Sequence, residues 1–508
     1  MRDTPKGEKD RSDLLALPET ALVRVVAAQR AVRIILVGGA VRDALLGKPV
    51  HDLDFAVQAE RRDAVSLARA VADRLGAAFY LMDAERGTSR VIVARPDQPA
   101  LNLDFAVCRG ATWNDDLFAR DFSINAIALD CASGALLDPT GGQANLAAGV
   151  IRQVTPHSLT DDPVRALRAV RIEHALGVPG AHIEPTTENA VRAAASLLNV
   201  PSTERVRDEL MKMLALPQAA RAVRRLDALG LLGELVPEIE PMRACTQTAP
   251  HHFAVLEHTF VVLDYLDEII RFVIEEDAVA PDWLSELQIA PPHRAALRRQ
   301  LLTETSNERL RVAVLRFAAL LHDIAKPANR SVGDDGRVHF YGHEEAGSKV
   351  AAARANTLRL SADEVSQIRA TVAHHMRPNQ MSRDSAIANI SQRAIYRYIN
   401  ATRDCAPEIA LFCIADGMGK AGADSSPDDA ARRAKIAALL IKAYYDRFGP
   451  DAAPKPLIDG REVMELGVKQ GREIGQILSA IREAQMVGEI STYDEAVALA
   501  QQLIHDAG

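Results

Sequence analysis

At 508 residues the chain exceeds what one hydrophobic core organises, so about two to four domains are expected. Apolar residues make up 48% and charged residues 25%, which excludes a disordered chain, and a net charge of −8 excludes a protein that draws nucleic acid by bulk charge. Any RNA contact must therefore use a local basic surface. No apolar run is long enough to cross a bilayer, the opening MRDTPKGEKDRSD reads as no secretory signal, and five cysteines (Cys108, Cys131, Cys245, Cys405, Cys413) without a CxxC argue against a disulfide frame or a thiolate zinc site. A reducing cytoplasm fits this pattern.

Along the chain the first half reads as mixed α/β. Apolar, β-branched runs predict strands at Arg33–Val37, Leu53–Val57, Arg90–Ala94, Leu101–Val107 and Ile124–Leu129. Helical periodicity covers Asp63–Leu75 and stops at Gly76. From about residue 160 the pattern becomes helical and stays so, with breaks at Gly177–Gly180, Pro237–Pro241, Pro281–Pro292 and Ser425–Pro427. Pro450–Pro456 separates a final helical segment. The expected class is α+β, divided into 21–150 (mixed α/β head), 151–240 (helical neck), 241–430 (metal-binding helical body) and 431–508 (helical tail).

The chemistry begins at Ile34–Val57, IILVGGAVRDALLGKPVHDLDFAV. A strand runs into Gly38-Gly39, Val41-Arg42-Asp43 opens a helix, Gly47 ends it, and a second strand carries Asp52 and Asp54. Paired glycines let backbone amides approach a phosphate closely. Residues two apart on a strand share a face, so Asp52 and Asp54 direct two carboxylates to one side. That arrangement suits a pair of Mg²⁺ ions about 4 Å apart, one for an attacking 3′-hydroxyl and one for a nucleotide's phosphates. Asp104, in LNLDFAV, is a candidate third ligand from a neighbouring strand.

This string resembles the first motif of the class II nucleotidyltransferases, the group of tRNA CCA-adding enzymes and bacterial poly(A) polymerases. The resemblance implies that Asp52 and Asp54 bind the metals and that Gly38, Gly39 and Arg42 meet the incoming triphosphate. A second match is Asp116–Ala126, DLFARDFSINA, in which Ala119 stands where an arginine is common and Ser123 replaces threonine. Here the resemblance implies phosphate and ribose contacts for Arg120, Asp121 and Asn125. A third is Asp161–Arg171, DDPVRALRAVR, with Asp161 in place of the usual glutamate. It implies that Asp162 and Arg165 read the base edge and that Arg168 and Arg171 support the substrate. On a helix, Asp162 and Arg165 would be neighbours three apart, and the later arginines would spread around the axis. Adenine and cytosine each present an amino donor beside a ring-nitrogen acceptor, which a carboxylate and a guanidinium match; uracil and guanine reverse the order. The segment Thr203–Leu210, TERVRDEL, resembles a bracing helix of the family, with Glu204 and Arg205 structural.

Only CRGATWN joins Val107 to Asp115, where many CCA-adding members carry a longer loop associated with the switch from C to A addition. The alternatives therefore stay open: CC only, A only, all of CCA, or poly(A) on general RNA ends. The implied partners are the tRNA 3′ end, ATP and CTP, with no membrane.

Between residues 250 and 420 come His258 (LEHTF), His322-Asp323 (LLHDIAKP), His343 (YGHEEAG), His374-His375 (AHHMRP) and Asp416 (IADGMGKA). Imidazoles with carboxylates suit a divalent cation. Their order resembles the HD phosphohydrolase superfamily, which implies His258, His322, Asp323 and Asp416 as ligands to a transition metal or Mg²⁺. His343 and His374 are then candidates for a second ion. A metal-dependent phosphohydrolase with an RNA-binding head is the reading from a different class. The last segment, from Leu457, resembles the family's helical tail, with Arg472 and Arg482 as candidate RNA contacts.

Overall fold

The computed structural model describes residues 13–96, 98–306, 308–384, 387–421 and 426–507. The opening polar segment and the start of the Ser425–Pro427 break lie outside them. The chain forms two compact units: one runs to Pro201 and includes Leu229–Leu231, the other comprises Ser202–Ala228 and Leu232 onward. The division thus falls inside the 151–240 segment expected as a neck.

The first unit is built on a seven-stranded sheet. Its strands are β1 (Arg33–Val37), β2 (Asp52–Gln58), β3 (Ala78–Asp83), β4 (Thr88–Arg95), β5 (Gln98–Val107), β6 (Ala128–Asp130) and β7 (Leu136–Leu137), in the order β3-β4-β5-β2-β1-β6-β7. Only β2 and β5 run parallel; every other neighbouring pair is antiparallel. The central strands are buried on both faces, which is why they read as continuous apolar runs. One face carries Ile35, Val37 and Ala56, packed with Trp113 and Leu117. On the other face Phe55 and Phe105 stack with centroids 5.1 Å apart. The helix Arg61–Leu75 buries Ala64, Leu67, Ala68, Val71 and Ala72, and Gly76 closes it in the left-handed conformation (φ 59°). Phe105→Ala is expected to cost about 3–5 kcal/mol of unfolding free energy, read as a shift in the urea midpoint.

Two strand expectations need correction. β3 was not expected: its run AFYLMD leaves Tyr80, Leu81 and Met82 exposed at the sheet edge, so no buried alternation marks it. The Ile124–Leu129 strand starts late, at Ala128, because Ser123–Asn125 forms a 3₁₀ turn. There Asp121 Oδ1 accepts from the Phe122 amide (2.8 Å) and from Asn125 Nδ2 (3.1 Å), side-chain bonds that compete with strand pairing.

The second unit is helical, as expected beyond residue 160, apart from short hairpins such as Ser331–Val332 with Val338–His339. The helices Arg311–Leu321 and Ala406–Gly419 are buried on every side, with Val255–Ile274 among their companions in the core. Buried cations here face carboxylates: Arg316 Nη2 lies 2.7 Å from Asp267, and Arg309 forks onto Glu364 at 2.8 and 2.9 Å. Beyond Pro456, the helices Gly460–Glu465, Arg472–Val487 and Tyr493–Ala507 share their own small core of Ile458, Val463, Ile477, Ile481 and Ala500.

Candidate functional sites

In the first unit β1 delivers the chain to Gly38, whose φ of +76° is the left-handed conformation that glycine adopts freely. A Cβ there would stand 3.2 Å from Asp54 Oδ2 and 3.4 Å from Arg120 Nη1, so the absent side chain leaves room for both groups to converge. Asp54 pairs across β1 with Val37 and across β5 with Asp104. Asp52 opens β2 and accepts from Asn102 Nδ2 at 2.9 Å. The carboxylate of Asp104 is clamped by Arg90, Nε to Oδ1 at 2.8 Å and Nη2 to Oδ2 at 2.9 Å.

Burial, followed by the charge of Asp104 and then of Asp52, pushes the Asp54 carboxyl up to about 6, against the pull of Arg120 and Arg90. A divalent cation would relieve the cost that burial and its two carboxylate neighbours place on the Asp54 charge, so Asp52 and Asp54, with Asp104 beside them, fit magnesium. With no cation bound, a carboxyl raised above its unfolded value contributes stability below about pH 4 that is lost as the pH rises through about 6. Any activity that needs the Asp54 carboxylate is expected to fall below about pH 6 at limiting Mg²⁺. Added Mg²⁺ should move that acid limb to lower pH, because cation and proton compete. A limb indifferent to Mg²⁺ in the pH–rate profile would refute the assignment.

The glycine turn continues into a chain of hydrogen bonds. Arg42 forks onto Asp43 (2.8 and 3.0 Å) and donates Nη1 to Asn125 Oδ1 at 2.7 Å. Asn125 in turn donates to Asp121, whose Oδ2 accepts from Arg168 Nη1 at 3.1 Å. Burial opposes the Asp121 charge, yet Arg168, Asn125 and the Phe122 amide together hold its carboxyl below the usual range. Asp162 was expected on a helix; it lies just before one, ahead of Pro163 and Val164–Ala175, because a residue preceding proline avoids the helical region. Its Oδ2 is still 3.6 Å from Arg165 Nε. Arg165 directs Nη1 at the carbonyls of Arg120 and Ser158 and one Nη2 donor at that of Ala119, which leaves the second Nη2 proton for a further acceptor. Arg171 follows, half-buried on the same helix. Lys48, which no motif singles out, donates to the carbonyls of Ala175 and Leu176 and so caps the C-terminus of that helix.

In the second unit the histidines gather as expected, with one exception. His258, His322 and Asp416 place ligand atoms within 4.8 Å of one another, and Asp323, His343 and His375 do the same. Each of the four rings bonds a backbone oxygen through Nδ1: His258 with Gly419 (2.9 Å), His322 with Ala319 (2.8 Å), His343 with Phe340 (2.7 Å) and His375 with Val372 (2.8 Å). Nδ1 therefore donates to a carbonyl in each ring, which leaves Nε2 as the ring atom available to a ligand. Nε2 of His258, His322 and His343 is buried without a hydrogen-bond partner, as is Asp323 Oδ1. Orphaned atoms of this kind fit a metal centre. Burial lowers His258, and burial with the neighbouring His322 lowers His375 to about 3. Asp323 and Asp416 stay far below the carboxylate range despite burial, Asp323 through His322 and Lys326, Asp416 through Lys420 and His258.

The exception is His374, offered above for a second ion: it is half-buried outside both groups, and His375 takes the place. Glu364, Ile368, Thr371, Val372 and His375 form the buried stripe of this helical stretch; 375, four beyond Thr371 and three beyond Val372, falls near its middle, whereas 374 lies to one side of it. That periodicity was the available signal. The groups open onto a cavity of about 500 Å³ lined also by His251, Lys326 and Lys420.

Comparison with known proteins bears on both sites. Residues 34–152 match the poly A polymerase head domain, 180–243 the probable RNA and SrmB-binding site of polymerase A, and 294–418 the HD domain. An A-adding tRNA nucleotidyltransferase of Deinococcus radiodurans is 34% identical over 92% of this chain and 94% of its own length. The chain belongs to the tRNA nucleotidyltransferase family. A CC-adding tRNA nucleotidyltransferase of Thermus thermophilus is 30% identical over 91% of each. Among solved structures, a CCA-adding enzyme in apo form (TM-score 0.58, 21% identity, 98% of this chain and 96% of that one) shares the fold. So does the Thermotoga maritima CCA-adding enzyme complexed with tRNA (0.55, 20%, 100% of both). In this nucleotidyltransferase His258 precedes the matched HD segment, and the Val255–Ile274 helix carries it into the cluster.

Proposed function

We propose that this chain extends tRNA 3′ ends without a template, adding CCA or part of it from CTP and ATP and releasing pyrophosphate, in the cytoplasm. The observation that carries the reading is the convergence of Asp54 and Arg120 on Gly38, with Asp52 and Asp104 alongside. Magnesium held by Asp52 and Asp54 would supply charge neutralisation and an ionised 3′-hydroxyl. Gly38 and Gly39 let the backbone approach the triphosphate, and Arg120 presents Nη1 beside Asp54. Arg42 enters as a charge already oriented by Asp43 and Asn125. Asp121 orients Arg168 and Asn125, and Asp121 and Asn125 would contact the phosphates and ribose while Arg168 supports the substrate.

Asp162 and Arg165 select the base by matching a donor beside an acceptor, and a mismatched base leaves buried polar groups unpaired at roughly 1–3 kcal/mol each. Asp162→Ala is accordingly expected to lower the preference for CTP or ATP over UTP by about 10-fold or more, measured as the ratio of kcat/KM values. An unchanged ratio would remove Asp162 from the selector.

Between β5 and the helix Trp113–Phe118 the chain makes a closed turn: Asp115 accepts from the Ala111 and Thr112 amides and Asp116 from the Arg109 amide. With relatives named as A-adding and as CC-adding, this favours a partial addition. The deciding experiment supplies each NTP alone and in combination to tRNA ending before CCA, tRNA ending in CC, and an unrelated oligonucleotide. CTP incorporation on the first, or ATP incorporation on the second alone, supports the reading. A-tailing of any RNA would instead make it a poly(A) polymerase, and no extension at all would sink it.

The histidine cluster supports a second activity in the same chain, metal-dependent phosphoester hydrolysis within 241–430, with His258, His322, Asp323, Asp416, His343 and His375 as ligands to a transition metal or Mg²⁺. We assign 21–150 to catalysis, 151–240 to base selection and 431–508 to RNA contact. In the tail Arg472 is exposed, and Arg482 is half-buried and donates to Gln485.

A further inference from the structure

Two guanidinium groups meet at the carbonyl of Ala119, and the charge of a third, Arg120, is felt beside them. Arg165 donates Nη2 to Ala119 O at 3.1 Å and Nη1 to Arg120 O at 3.4 Å. Arg109, from the turn after β5, donates Nη1 to the same Ala119 oxygen at 3.2 Å. Arg120 spends Nε and Nη2 on Asp116 (3.1 and 2.9 Å), leaving Nη1 toward Gly38 and Asp54. The nearby carboxylates are already used: Asp116 takes Arg120 and the Arg109 backbone amide, and Asp162 stands 3.6 Å from Arg165. Ala119 brings no charge of its own. The guanidinium of Arg109 therefore meets a neutral carbonyl among two other cations, on an exposed turn whose backbone Asp115 and Asp116 hold fixed.

We propose that Arg109 is a further substrate-binding residue of the nucleotidyl-transfer site, supplying a positive charge to the triphosphate of the incoming nucleotide. The inference rests on the function proposed above. Arginine keeps its proton throughout the accessible pH range, so like-charge crowding is relieved by an anion rather than by proton loss. Consistent with that, burial and then the charges of Arg120 and Arg165 hold the Arg109 guanidinium below its ordinary value, and Asp116 and Asp121 offset this only in part. A phosphate oxygen accepts planar, forked donors well, and a triphosphate near Arg120 Nη1 would share the cluster.

Steady-state kinetics of Arg109→Ala and Arg109→Lys, with inorganic tripolyphosphate as a competitive probe, test this directly. For the alanine variant the KM for NTP and the inhibition constant of tripolyphosphate should both rise about 10-fold, while kcat and the KM for tRNA stay within about 2-fold. The lysine variant should recover most of the loss, which a mere distortion of the turn would not allow. Unchanged NTP and tripolyphosphate constants overturn the proposal, and so does a rise confined to the KM for tRNA, which would place Arg109 on the acceptor RNA. Wild-type protein that extends no tRNA yet binds tripolyphosphate through Arg109 would instead overturn the proposed reaction and leave this site standing.

Discussion

Asp54→Asn is expected to reduce nucleotide addition by about 1,000-fold, roughly 4 kcal/mol of barrier, with little loss of folded protein. The substitution keeps the side chain's volume and removes the charge that two neighbouring carboxylates make costly. Because Asp54 is raised to about 6 by burial, Asp104 and Asp52, its neutralisation should stabilise the cation-free unit above that pH. Loss of activity accompanied by a higher melting temperature is thus the signature of a group held for chemistry rather than for the fold. Asp52→Asn should reduce addition by a similar factor, since Asp52 shares the face of Asp54 and is anchored by Asn102. Radiolabelled CTP or ATP incorporation into tRNA, beside thermal melts with and without Mg²⁺, gives both readouts. Full activity in the double variant would remove these carboxylates from the reaction.

The second large effect belongs to Asp323. It is the residue common to both imidazole groups, with Oδ2 at 3.0 Å from His322 Nε2 and 3.4 Å from His258 Nε2, and Oδ1 at 3.4 Å from His343 Nε2. A metal that binds the folded state alone stabilises it by about 4 kcal/mol at a thousand times its dissociation constant. Removing metal by chelation should therefore lower the melting temperature of the wild-type chain by several degrees, about the shift expected for that energy in a large unit. In Asp323→Asn the chelator should make no difference, and release of phosphate from a phosphorylated oligonucleotide should fall to background. Nucleotide addition should continue, because Asp323 lies in the second compact unit and the transfer carboxylates in the first. A wild-type melting temperature indifferent to chelator and to added Zn²⁺, Ni²⁺, Mn²⁺ or Mg²⁺ would show that the cluster holds no metal.

Much of the first site was legible in the linear chain because its parts are local. Gly38-Gly39, Arg42, Asp52 and Asp54 fall within one strand–helix–strand passage, and a period of two puts both carboxylates on one face whatever surrounds them. The α+β class and the helical second half were legible for the same reason, since hydrophobic periodicity is a property of neighbours in sequence. Less visible were features whose signal is an exposed edge, such as β3, or a side-chain bond that bends the backbone, such as Asp121 to Phe122 and Asn125.

Tertiary structure decided the rest. Only the register of β4 against β5 brings Arg90 opposite Asp104, turning a candidate free ligand into one clamped by a guanidinium. Only the phase of one helix places His375, and not its neighbour His374, among ligands drawn from residues 258, 322, 323, 343 and 416. Only the turn after β5 carries Arg109 to the carbonyl of Ala119. Spacing along the chain specifies which groups a strand or helix presents together. Which groups from different elements meet depends on packing and register, and these are set by the burial of apolar faces throughout each unit.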